Sequence, residues 1–261
     1  MYEKIWLAAA GLCFLVVFAT TMWAIGGHRY QPSRVNFLLN LAGFLCLTMF
    51  LQLRGELLGR CPLTTLSEVL IFLSWSTVLT YLVVGPTYRL SLIGAFTAPL
   101  VLVLLGLALV FRTNEPPEIR TEAINPWLET HAAVSLIAYG VFALACISGA
   151  MYLIQNRQLK RRELNEWFYQ LPPIHTLGLA NARLLIFGFL LLTIGLATGF
   201  FVNRSTGEMK LLMSFGIWLL YGGILLTRWL KALAPLALAR LSVVAFLLSL
   251  VTLWGMEFFR V

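Results

Sequence analysis

The chain has 261 residues, of which 60% are hydrophobic and only 11% charged, and its mean hydropathy is +0.86. Soluble globular domains are about half apolar and about a quarter charged, so this balance excludes one and leaves a polytopic membrane protein. The net charge of +8 does not point to nucleic acid, because the Lys and Arg residues lie in short loops between apolar runs and not on one polar face.

Apolar runs recur along the whole length, as a chain that crosses a hydrocarbon core of about 30 Å with helices requires. The first, at about 5–26, follows Lys4. Its apolar core is too long for a signal peptide and no small-x-small cleavage site follows it, so it is expected to be a retained span. The second covers about 35–53, and residues 54–65, with Arg54, Glu56, Arg60 and Pro62, are expected to form a loop. The third and fourth cover about 65–84 and 90–111, and the acidic, proline-containing stretch RTNEPPEIRTEAINP separates them from the next.

The fifth, at about 127–154, is entered through Asn125 and Pro126, a capping side chain followed by a residue whose missing N–H costs nothing there. A basic and then amphipathic connection, 155–180, is expected to carry a short surface helix stopped by Pro172 and Pro173. The last three runs cover about 182–202, 211–229 and 235–258. The expected architecture is a single all-α polytopic membrane domain of eight transmembrane helices. Of the basic residues, eleven fall on the side of the loops after spans one, three, five and seven, with NRQLKRR the densest cluster. That side is expected to be cytoplasmic, with both termini periplasmic, in a bacterial inner membrane.

The four cysteines, Cys13, Cys46, Cys61 and Cys146, are scattered singly, with no CxxC or CxxCH spacing. Such spacing argues against a redox dithiol, a zinc site or covalent haem attachment, and suggests small apolar side chains. Gly195 and Gly199 at GxxxG spacing, and Ala145 with Gly149, are expected to let helices approach closely.

Intramembrane ionisable groups are few. Glu68 lies in the first turn of the third span, where it can cap the helix or line an outward mouth. His131 lies one turn into the fifth span, with Trp127 one turn before it and Ser135 and Tyr139 one and two turns after, a polar and aromatic row on one helix face. A neutral imidazole there can ligate haem iron or be a boundary histidine bonded within the aromatic belt. His28 and His175 fall in loops. No HExxH, Walker loop, GxSxG or paired intramembrane carboxylates occur, so the chain is not expected to be an enzyme. Broken-helix pairs and mid-membrane charges of a transporter are missing too.

Several phrases in order resemble the cytochrome c assembly family of haem-handling membrane proteins, in particular its HemX-like branch. They are SEVLIFLSW, YRLSLIGAFTAPL, WLETHAAVSLIAYGVFALACISGAMYL, LPPIHTLGLANARLLIFGFLLLTIGLATG and IWLLYGGILLTR, spread over about 65–255. The resemblance implies haem as cofactor, with His131 in WLETHA as axial ligand and Trp127 and Tyr139 as porphyrin contacts. It departs from the family's haem exporters in three places. Their tryptophan-rich loop ending in Trp-Asp-Pro-Lys is replaced by NRSTGEMK, where Glu208 and Lys210 stand at the Asp and Lys positions. Their second outward histidine has no counterpart near Trp254 and Gly255, and their membrane histidine is Leu226. The implied function is that of a non-enzymatic haem-associated protein of cytochrome c biogenesis or haem homeostasis. The alternative is a haem-free regulatory or assembly partner of another membrane protein or of a haem-synthesis enzyme docked at NRQLKRR.

Overall fold

A computed structural model describes residues 2–26, 34–85, 91–111, 126–162, 172–201, 208–231 and 233–258. The described residues form eight α-helices and no strand: α1 (Tyr2–Gly26), α2 (Arg34–Leu58), α3 (Leu66–Val84), α4 (Ser91–Val110), α5 (Pro126–Arg161), α6 (Ile174–Gly199), α7 (Glu208–Lys231) and α8 (Pro235–Phe258). Seven are long and apolar enough to cross a membrane, and α4 supplies the shorter apolar stretch Phe96–Val110. The expected all-α polytopic architecture is therefore observed.

Where the helices end depends on hydrogen bonding more than on hydropathy. α2 does not stop at residue 53 but continues through Arg54 and Glu56 to Leu58, and Gly59 then breaks it at φ +65°. The polar residues remain helical because they are paired: Arg54 reaches Glu3 of α1 at 3.5 Å and Glu68 of α3 at 2.9 Å, and Gln52 bonds Glu56 one turn on at 3.3 Å. α5 likewise runs on through NRQLKR to Arg161, since nothing in that stretch breaks a helix and its last turn is basic, the sign that the helix dipole favours. α6 starts at Ile174, directly after the proline pair, so Pro172 and Pro173 introduce this helix well before residue 182. The expected surface helix falls on 163–171, outside the described residues.

α5 is the most enclosed helix, flanked by α3, α6 and α8. Lipid tails are as apolar as leucine, so helices associate through close packing and through hydrogen bonds that cross between them. Gly140 lets α3 approach until Ser76 occupies the place of a Cβ, and the Ser76 hydroxyl donates to the Leu136 carbonyl at 3.2 Å. Gly149 opens a junction with α6 and α8, where a Cβ would meet Ser242 Oγ at 2.6 Å. There Asn181 Nδ2 donates to the Ala145 carbonyl at 2.7 Å and to Ser242 Oγ at 2.8 Å, and Ser148 Oγ donates to the Leu177 carbonyl at 3.0 Å. The ring of Phe142 lies flat on Tyr221 of α7, 3.6 Å apart and 4° from parallel, and it fills the space left by Gly188.

The α1–α2 hairpin packs beside this core against α3 and α4. Leu7, Ala10, Phe14, Val17 and Thr21 bury one edge of α1, and Asn40, Gly43, Leu47 and Phe50 bury the facing edge of α2. Both sets alternate steps of three and four, the spacing of a heptad seam.

Candidate functional site

The first turns of α5 and the last turns of α6 lie side by side at one end of the bundle. His131 is 7% exposed, and its Nδ1 is 2.7 Å from the carbonyl oxygen of Gly195. A carbonyl only accepts, so Nδ1 carries the hydrogen, and in the neutral ring Nε2 is left with its lone pair. The same carbonyl accepts a second bond from Thr198 Oγ1 at 2.6 Å. Gly195 permits this approach, because a Cβ there would meet Ser135 Oγ at 2.6 Å. Ser135, one turn after His131, is itself buried with a hydroxyl that has no hydrogen-bond partner.

Trp127, one turn before His131, is 47% exposed and its ring rests on Phe201 just beyond α6, with centroids 4.9 Å apart. The two rings form an aromatic rim outside a buried imidazole. Tyr139 belongs to the same helix row but lies eight residues further, about 12 Å deeper at the helical rise. It is buried, and its ring faces Phe142. The fold thus groups His131, Ser135 and Trp127 with Gly195, Thr198 and Phe201, and places Tyr139 in the interior.

Glu68 is a capping residue. Its side chain accepts from Thr64 N at 3.0 Å, Thr64 Oγ1 at 2.7 Å, Thr65 N at 3.3 Å and Arg54 Nε at 2.9 Å. Glu68 N in turn donates to Thr65 Oγ1 at 3.2 Å, which completes a capping box at the start of α3. Of the two readings open for Glu68 in the sequence, capping takes one carboxylate oxygen, Oε2, and the ion pair with Arg54 takes the other. Beside it, burial and the neighbouring charges of Glu129 and Glu68 push the Cys61 thiol up to about 11. Glu208 opens α7, but its side chain, that of Lys210 and the loop 202–207 lie outside the described residues, as does His28. His175 is exposed at the start of α6. Leu226, at the position of the family's membrane histidine, is also exposed, so a ligand there would look away from the core.

Three members of the site were not singled out as such in the sequence. Gly195 stood out only for packing, Thr198 not at all, and Phe201 is one of many aromatic residues. Their roles depend on pairing between positions 64 residues apart, as for His131 and Gly195, which no local pattern encodes.

The sequence is similar to those of known proteins along most of its length. The chain is 24% identical to Protein HemX of Bacillus subtilis over 236 residues, covering 86% of this chain and 84% of that protein. It is 26% identical to the cytochrome c biogenesis protein CcsA of Prochlorococcus marinus over 287 residues, covering 95% and 89%. A second CcsA, from Cyanidium caldarium, is 33% identical over 127 residues, or 44% of this chain and 42% of the other. The model of the cytochrome C assembly protein family matches residues 63–260, which is α3 to the end of α8 with everything around His131, and the chain belongs to that family.

Proposed function

We propose that this chain is a non-enzymatic, haem-associated membrane protein acting in cytochrome c biogenesis or haem homeostasis, with His131 as axial ligand through Nε2. The observation that carries the reading is the Nδ1–H···O=C bond to Gly195, the arrangement by which proteins fix the tautomer and orientation of a metal-binding imidazole. The donor set fits one bond to iron: a buried imidazole whose Nδ1 is taken by Gly195, beside the exposed rings of Trp127 and Phe201 on which a porphyrin edge can lie. Haem, if bound, would supply an iron for His131 to hold. The protein's part is to orient His131, to keep water from its buried side and to offer an apolar rim. Membership of a family whose named members include cytochrome c biogenesis proteins supports the same reading. In this proposal the His131 end of the bundle faces the periplasm and the basic end of α5 faces the cytoplasm of a bacterial inner membrane.

The visible spectrum of the detergent-purified protein, with and without added haemin, tests this. A Soret band is expected in the wild type and its loss in His131→Ala; a wild type that stays colourless with haemin overturns the reading. A second reading, a haem-free partner of another membrane protein or of a haem-synthesis enzyme, is favoured by one feature. α5 projects as a helix into polar sequence, with Arg157, Leu159 and Lys160 exposed. It predicts a co-purifying protein that is lost in the triple variant Arg157→Ala, Lys160→Ala, Arg161→Ala.

A further inference from the structure

The end of α5 away from His131, cytoplasmic in the proposed orientation, carries polar side chains that the haem reading does not use. Gln155 is 3% exposed, yet its Oε1 has no hydrogen-bond partner, and the same holds for the buried Oε1 of Gln158 one turn on. Buried carboxamides are nearly always bonded, so the pair asks for a partner.

The packing of α5 on α6 shows what Gln155 faces. The two helices run antiparallel: Asn181 Nδ2 donates to the Ala145 carbonyl at 2.7 Å, Ser148 Oγ donates to the Leu177 carbonyl at 3.0 Å, and the Tyr152 ring lies 3.4 Å from where a Gly178 Cβ would be. Ser148, Tyr152 and Gln155 follow one another at steps of four and three, on one helix face. Gln155, one turn beyond Tyr152, is therefore level with the start of α6 at Ile174.

That start is uncapped. Its N-cap is Pro173, which supplies no side-chain bond, and Leu177 N makes the first bond of the ladder, to the Pro173 carbonyl at 3.1 Å. The N–H groups of Ile174, His175 and Thr176 thus point out of the helix without an intrahelical acceptor. No acidic residue stands in the first turn to answer the helix dipole.

We propose that this junction binds a phosphate group at the membrane surface. The three N–H groups and the positive end of the α6 dipole suit an oxyanion. The Gln155 carboxamide beside them donates through Nε2 to a phosphate oxygen, or accepts through Oε1 from a hydroxyl next to it. Exposed Arg157 and Lys160 make the approach basic. Basic pockets between membrane helices receive anionic lipid head groups on the cytoplasmic side, and a soluble phosphate compound presents the same oxygens. The site is independent of the haem reading, since it lies at the other end of the bundle.

Thermal unfolding of the detergent-purified full chain tests this, because a ligand of the folded state raises the midpoint with its concentration. The additions are dimyristoylphosphatidylglycerol, inorganic phosphate against sodium chloride of equal ionic strength, and dimyristoylglycerol, which has the same acyl chains and no phosphate. A rise with the phospholipid alone identifies a lipid head group, and a rise with inorganic phosphate identifies a soluble phosphate; both support the site. Gln155→Leu removes a buried partnerless amide, and Pro173→Asp supplies a cap that takes the same N–H groups and repels an anion. Both variants, free of ligand, are expected to unfold at or above the wild-type midpoint. Both are expected to bind the phosphate ligand roughly ten- to a hundredfold more weakly, the share of one hydrogen bond to a charged group. A wild type that responds to neither phosphate ligand, or equally to dimyristoylglycerol, or variants that keep the wild-type response, overturns the proposal.

Discussion

Nδ1 of His131 holds α6 through the Gly195 carbonyl while the proposed ligand role falls to Nε2, and Gly195 is the residue through which this division can be disturbed. In Gly195→Ala the new methyl meets Ser135 Oγ at 2.6 Å and drives α5 and α6 apart. Haem affinity is expected to fall by roughly ten- to a hundredfold, the cost of losing the partner that orients a metal-binding histidine. Adding Ser135→Ala removes the clashing hydroxyl, the nearest remaining contact being 3.2 Å, so the double variant is expected to recover part of the loss in a haemin titration. Cys61 gives a pH signature at the same end of the bundle. Its pKa is raised to about 11 by burial, Glu129 and Glu68, so the unreactive thiol is the favoured form at neutral pH. Alkylation is expected to be slow at pH 7.5 and to climb nearly tenfold per pH unit until it levels near 11. Glu129→Gln removes a negative neighbour, lowers the pKa and should speed the reaction at every pH below the plateau.

Between elements, hydrogen bonds and small residues hold what apolar surface alone does not specify. Asn181→Ala deletes the amide that ties α6 to Ala145 of α5 and Ser242 of α8. Bonds of this kind inside membranes average about 0.6 kcal/mol and reach about 1.7 kcal/mol, and losing two should lower unfolding stability in detergent by about 1–2 kcal/mol. Gly149→Ala at the same junction meets Ser242 Oγ, the Ala239 carbonyl and Asn181 together and is expected to cost about 1–3 kcal/mol by overpacking. An equilibrium unfolding titration in mixed micelles checks both losses. The spans themselves were legible in the sequence, because hydropathy reports which residues cannot stay in water. The ends were not: Arg54 and the NRQLKR stretch are polar yet helical, since pairing and the dipole, not burial, keep them so.

For the whole molecule, the topology puts the α3 and α5 starts, the α6 end and the Arg54 cluster together on one side, and the basic end of α5 and the start of α6 on the other. The proposed orientation predicts that Trp127→Cys reacts in intact spheroplasts with a membrane-impermeant maleimide, whereas His175→Cys reacts only after the membrane is opened. The reverse pattern would invert the proposed site to the cytoplasmic face. At this scale the family resemblance read from the sequence holds, and His131 retains a geometry suited to a ligand. The tryptophan-rich loop does not reappear in another guise among the described residues.

The carbonyl of Gly195 answers to two donors at once, His131 and Thr198. A buried acceptor deprived of its only partner costs about 1–3 kcal/mol, which would resist any movement of the imidazole. With the threonine hydroxyl in place, the ring can turn away and back without stranding that oxygen. The orientation of the ring is thereby decoupled from the integrity of the α5–α6 contact, as the proposed ligand role of His131 would require.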